Sequence, residues 1–144
     1  MQVTIQYRGQ LKLAVGRADE RLELPEGATL EELVRAGDAH PSLLKIRWPF
    51  GDGPLFAHQE RAFRIGRRGR SFVVTTGTGS GKTEAFLLPV LDGILRRKGE
   101  GVTGLQAVLI YPMNALANDQ LERLRRLVRG SGLDISFGLY TGDS

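Results

Sequence analysis

The sequence predicts an α/β fold: a parallel sheet with helices on both faces, preceded by a small strand–strand–helix unit. Three observations carry that expectation. Over residues 54–144, short apolar runs alternate with longer helical stretches, the order that builds a parallel sheet covered on both sides. A glycine-rich stretch, Thr76 to Gly81, joins the first of those runs to the helix after it. Residues 1–46 instead show period-two alternation followed by one helical stretch, so they form a separate unit, with 47–53 as a linker.

Each element has a local reason. Val3, Ile5 and Tyr7 alternate with polar residues, as in a half-buried strand, and Leu11, Leu13 and Val15 repeat the pattern. Leu22 and Leu24 make a third short strand before Pro25-Glu26-Gly27, a turn signal. Thr29 caps a helix and Glu32 completes its capping box, with Leu30, Leu33 and Val34 as the apolar face. Gly37 and His40-Pro41 close that helix. The linker Arg47-Trp-Pro-Phe-Gly-Asp-Gly53 is broken by Pro49, Gly51 and Gly53. Helices follow at 56–65, 82–98 and 115–129, the second kinked by Pro89 and the last stopped by Gly130. Strands of buried type fall at Phe72–Thr75, Ala107–Tyr111 and Ile135–Tyr140.

Composition narrows the function. With 41% hydrophobic and 25% charged residues over 144 positions the chain is of ordinary soluble type, and it holds no run of 18 apolar residues that would span a membrane. The first ten residues alternate instead of forming an apolar block, so no signal peptide is expected and the cytoplasm is the expected compartment. Without cysteine there is no thiolate metal site, iron–sulfur cluster or cysteine nucleophile, and two histidines, His40 and His58, make a poor metal set. Residues 1–50 are neutral, so the net charge of +4 belongs to 51–144, a balance compatible with a polyanionic partner.

The chemistry gathers at Thr76-Gly77-Thr78-Gly79-Ser80-Gly81-Lys82-Thr83. Glycines at 77, 79 and 81 let the backbone turn tightly and present its N–H groups, and the helix start behind them completes an anion cradle. Lys82 is placed for the β and γ phosphates of ATP, and the Thr83 hydroxyl for Mg2+. The general phosphate-binding pattern opens on glycine where this chain has Thr76, but Gly81-Lys82-Thr83 stands in frame between a strand and a helix.

Two resemblances follow. Met1 to Ile5 and Leu22 to Leu33 resemble the β-grasp sulfur carriers of molybdopterin and thiamine synthesis, at about half the length such a fold needs. Those carriers act through a C-terminal Gly-Gly where this chain reads Gly-Asp-Ser, so the segment is expected to be a structural appendage. Residues 54–144 resemble superfamily 2 helicases of the DEAD/DEAH type, in the form associated with a DUF1998-type domain. The resemblance rests on the Thr76–Thr83 loop followed by Glu84-Ala85-Phe86, and on Tyr111-Pro-Met-Asn-Ala-Leu-Ala-Asn-Asp-Gln120 in the place of motif Ia. It rests also on Leu55-Phe-Ala-His-Gln59 as the glutamine motif and on Tyr140-Thr-Gly-Asp143 as motif Ib.

It implies the first part of a RecA-like P-loop domain and ATP as cofactor, with Gln59 reading adenine. It implies a nucleic-acid partner, DNA ahead of RNA, held at Pro112, Asn114, Thr141 and Gly142. Asn114 could equally cap the helix at Ala115, and His58 reads as a half-buried helix residue. The family's acidic hydrolysis box, Asp-Glu-x-His or Asp-Glu-Ala-Asp, occurs nowhere in the chain, so no catalytic residue is assigned and the expected product is a truncated, nucleotide-binding portion. A non-catalytic β-grasp interaction module and another kind of P-loop protein remain as alternatives.

Overall fold

The computed structural model describes residues 2–6, 19–23, 26–77, 79 and 81–142. In chain order these form β1 (Gln2–Gln6), β2 (Asp19–Glu23), β3 (Glu26–Thr29), α1 (Leu30–Arg35), a 3-10 turn (Pro41–Lys45), β4 (Pro54–Phe56), α2 (Ala57–Arg67), α3 (Lys82–Gly99) and α4 (Asn114–Val128). β1 and β2 pair antiparallel with Val3 opposite Leu22. The strand expected over Leu11–Val15 lies outside the described residues.

α1 begins as its sequence dictates. The Glu32 N–H donates to Thr29 Oγ1 at 3.1 Å and the Thr29 N–H donates to Glu32 Oε2 at 2.8 Å, so two otherwise orphaned donors satisfy one another. Leu30 and Leu33 are buried on its inner face, and Gly37 ends it at a φ of 78°. Ahead of the cap, the expected turn at Pro25–Gly27 is corrected: from Glu26 onward the chain is strand β3, antiparallel to β4, with Glu26 opposite Phe56. Extended pairing wins there because β4 supplies a partner that local sequence could not announce.

The expected boundary at 46–54 does not separate two cores. Leu30, Leu33, Leu43 and Ile46 share one cluster with Phe63 of α2, Leu88 and Leu91 of α3 and Leu124 of α4. The segment read as a linker is packed: Trp48 is buried, donates its indole N–H to the Leu43 carbonyl at 2.9 Å and stacks on Phe50. Polar ties cross the same seam. Buried Asp92 of α3 accepts the His40 N–H at 2.7 Å and the Arg96 Nε–H at 2.8 Å. Asp38 accepts from Arg64 at 3.0 Å and Arg67 at 2.9 Å, both on α2.

α3 is the central helix, with Leu87, Leu88, Leu91 and Leu95 buried. It is one helix from Lys82 to Gly99 with Pro89 inside it. The proline ring lies over Gly66 of α2, so close that a Cβ added at Gly66 would stand 2.7 Å from Pro89 Cβ. The glycine therefore lets the two helices approach at the point where α3 lacks a donor.

The three expected buried strands are the main structural difference. Residues 71–77, 105–111 and 132–141 carry no strand ladder among the described residues. Phe72 and Val74, or Leu133, Ile135 and Phe137, turn inward while their neighbours turn out. Leu109, Leu133, Ile135 and Phe137 pack on the helical core. The opposite side stays open, with Val73 at 87%, Ile110 at 88% and Tyr140 at 88% exposure. A β-branched run signals burial on two faces; here the helices cover one.

Candidate nucleotide site

The loop and the helix behind it are built as the glycine pattern requires. Gly79 and Gly81 adopt φ of 76° and 72°, a region costly for any residue with a Cβ. Gly81 is the N-cap of α3 and Lys82 its first helical residue. The Lys82 ammonium turns back across the loop and donates to the Thr76 carbonyl at 2.5 Å. The ammonium thus already spans the concave side of the loop, and Thr83 lies one residue on, in the first turn. Thr78 and Ser80 lie outside the described residues.

Gln59 does more than the sequence implied. It is buried on α2, its Nε2 donates to the Gly81 carbonyl at 3.1 Å, and its Oε1 accepts the Phe56 N–H at 2.9 Å. A Cβ added at Gly81 would push Gln59 Nε2 out of this position. The amide therefore pins the start of α2 to the end of the loop. His58, beside it, stacks on Phe56 at 5.7 Å, and its buried Nε2 has no hydrogen-bond partner.

The pairing of Glu84 with Arg123 escaped the sequence reading. Glu84, in the first turn of α3, is buried and ion-paired with Arg123 of α4. Arg123 also lies near Tyr111, whose hydroxyl burial pushes up from its ordinary pKa while the Arg123 charge pulls it down. A signal for Glu84 existed: with Asp92 it falls in the same helical stripe as Leu88, Leu91 and Leu95, where a carboxylate calls for a buried partner.

The remaining candidate residues are on the surface. Pro112, Met113 and Asn114 are exposed at the start of α4. The capping expectation for Asn114 is corrected: Met113, at φ −139°, is the N-cap and makes no side-chain cap bond, while Asn114 is the first helical residue. The chain turns helical one residue early, so the Asn114 side chain is not used as the cap. Thr141 is half-buried, Gly142 exposed, and Asp143 lies outside the described residues. No helix among the described residues is long and apolar enough to cross a membrane.

A loop with Gly79 and Gly81 in the left-handed region, a lysine that opens the following helix, and a buried glutamine bonded to the Gly81 carbonyl make up a loop of P-loop type. The family follows: residues 56–144 match the model of the DEAD/DEAH box helicase family, and the chain belongs to that family. Its α/β class is that of a partial RecA-like domain. The chain is 40% identical over 104 residues to Druantia protein DruE of Escherichia coli (strain UMEA 4076-1), covering 60% of this chain and 6% of that protein. It is 36% identical to the uncharacterized ATP-dependent helicase YprA of Bacillus subtilis (strain 168), covering 65% and 12%. It is 31% identical to the ATP-dependent RNA helicase ROK1 of Gibberella zeae, covering 88% and 18%. The chain thus spans less than a fifth of the length of these relatives. No solved structure matches.

Proposed function

We propose that the chain binds ATP with Mg2+ at Thr76–Thr83 and a nucleic-acid strand at the exposed start of α4, as the nucleotide-binding portion of an ATP-dependent helicase. One observation carries this reading above the others: the Lys82 ammonium, 2.5 Å from the Thr76 carbonyl, is held over a loop in which Gly79 and Gly81 take left-handed φ. A bound triphosphate offers that ammonium stronger acceptors than a carbonyl, so the lysine exchanges one oxygen for another with little movement. Thr83 supplies the hard oxygen that Mg2+ prefers, and the ion when bound neutralises charge on the β and γ phosphates. Gln59 takes the adenine edge by exchanging its bond to Gly81, which links base recognition to the shape of the loop. Hydrolysis needs a carboxylate pair of the Asp-Glu-x-His kind, and no such box occurs in these 144 residues, so this chain by itself binds without turning over.

Pro112, Asn114, Thr141 and Gly142 are the residues proposed to hold the strand, through small polar groups and backbone N–H donors. The family resemblance implies DNA ahead of RNA, whereas ROK1 is named for RNA; competition between DNA and RNA oligonucleotides of one sequence decides between them. A site that uses ATP goes with the cytoplasm, where that nucleotide is abundant. The test of the loop is Lys82→Ala, read by titration with a fluorescent ATP analogue. The expected outcome is at least a hundredfold loss of affinity, roughly 3 kcal/mol, with an unchanged melting curve. Affinity equal to that of the unaltered chain overturns the assignment.

A further inference from the structure

Some basic residues of the described chain are ion-paired and others, Arg61, Arg68 and Arg70 among them, have no ion pair among the described residues. Arg64, Arg67, Arg96, Lys98, Arg123 and Arg125 each meet a carboxylate. Arg47, Arg126 and Arg129 have no carboxylate partner among the described residues, and these three line one cavity of about 590 Å3 together with Pro49, Asp119 and Arg123. Helical spacing explains half of this: positions 119, 123 and 126 fall on one face of α4, and Arg129 caps its end. The other half is tertiary. The Arg47 N–H donates to the Leu127 carbonyl at 3.0 Å, satisfying one of the orphaned acceptors of the last helical turn. That bond fixes residue 47 against the helix and brings its guanidinium to 3.9 Å from where a Cβ on Gly130 would stand.

We propose that this cavity, between residues 47–49 and the C-terminal half of α4, binds the phosphodiester backbone of a nucleic-acid strand at a second place, apart from Pro112 and Asn114. The inference rests on the nucleic-acid part of the reading above and adds a site to it. Cations at a helix C-terminus complement the helix dipole, which accounts for Arg129 and in part for Arg126. It does not account for Arg47, which comes from outside the helix. Four guanidiniums share the cavity with one carboxylate, Asp119, and Arg123 is already committed to Glu84. Their mutual repulsion is relieved by an anion, and planar guanidinium forks suit phosphate oxygens. Arg47, Arg126 and Arg129 are exposed and Arg123 is half-buried, which fits a strand passing across the opening better than an enclosed small ligand.

The test is anisotropy of a fluorescein-labelled 20-nucleotide single strand, titrated with the 144-residue chain over a series of salt concentrations. The variant is Arg47→Gln/Arg126→Gln/Arg129→Gln, all at exposed positions. Losing three phosphate contacts is expected to lower the salt slope, log affinity against log salt, by about two and to weaken binding about tenfold or more at moderate salt. ATP-analogue binding stays unchanged, which separates this site from the loop. The lysine counterpart at the same three positions restores the slope, because charge is kept. A slope and affinity equal to the unaltered chain overturn the proposal; if Asn114→Ala then weakens binding, the helicase reading stands without it. A polyglutamate peptide that displaces the strand, and whose binding the triple variant loses in place of strand binding, overturns it in favour of an acidic protein partner. Failure of the unaltered chain to hold any strand overturns both readings of nucleic-acid contact.

Discussion

Glu84 is the residue on which the loop helix and α4 meet. Its carboxylate is buried, and burying an unpaired charge is costly. Arg123, about one-third exposed, keeps that cost down and ties the first turn of α3 to α4. Arg123→Leu leaves the carboxylate buried without a partner and is expected to destabilise the chain by about 2–3 kcal/mol, below the range for fully buried pairs because Arg123 reaches solvent. Urea denaturation measures it; a midpoint unchanged from the parent refutes the role. Gln59 works at the same scale but through neutral bonds, joining Phe56 to Gly81 with its two amide ends.

At the scale of elements, the seam between β3 and α2 sets an acid limit. Glu60 on α2 accepts the Ala28 N–H of β3 at 2.8 Å and the Arg64 Nε–H at 2.9 Å. The backbone bond is the larger cause holding its carboxyl below the ordinary 4.5, with Arg64 adding to it and burial opposing it. A carboxylate whose folded pKa is depressed contributes stability that is whole above its unfolded pKa. That contribution is lost as the pH falls through the folded value. Stability of the parent chain is therefore expected to drop from about pH 5 downward, and Glu60→Gln is expected to flatten that part of the curve. Thermal melts from pH 7 to pH 3 check it; identical slopes in both proteins count against the seam.

The whole molecule depends on one helical core that takes in residues before and after position 50. Leu43, completely buried in the 3-10 turn, packs in the cluster that holds Leu88 and Leu91 of the loop helix. Leu43→Ala is expected to cost about 2–5 kcal/mol and to move a single cooperative transition. Two transitions, with the helices that follow the glycine loop melting at their old temperature, would show that residues 26–50 fold apart from them.

Much of the candidate site was legible in order along the chain. Thr29 and Glu32 announced the cap of α1, and Gly79, Gly81 and Lys82 announced a left-handed loop opening a helix, because those signals act within a few residues. What lies far apart in sequence was not legible. The pairing of Glu26 in β3 with Phe56 in β4, the Glu84–Arg123 ion pair and the bond from Arg47 to Leu127 join residues 30, 39 and 80 positions apart, and only the packed chain brings them together. The runs at 72–75, 107–111 and 135–140 mark the limit of composition: β-branched residues declare a wish for burial, but a strand exists only where a neighbour offers its donors and acceptors. The sequence alone determined the loop, the helices and the family-type motifs, since propensity, capping and glycine stereochemistry are local. The tertiary structure decided that residues 30–48 share one core with the helices that follow the glycine loop, and that four arginines from residue 47 and α4 surround one cavity, because burial and charge compensation are settled between elements.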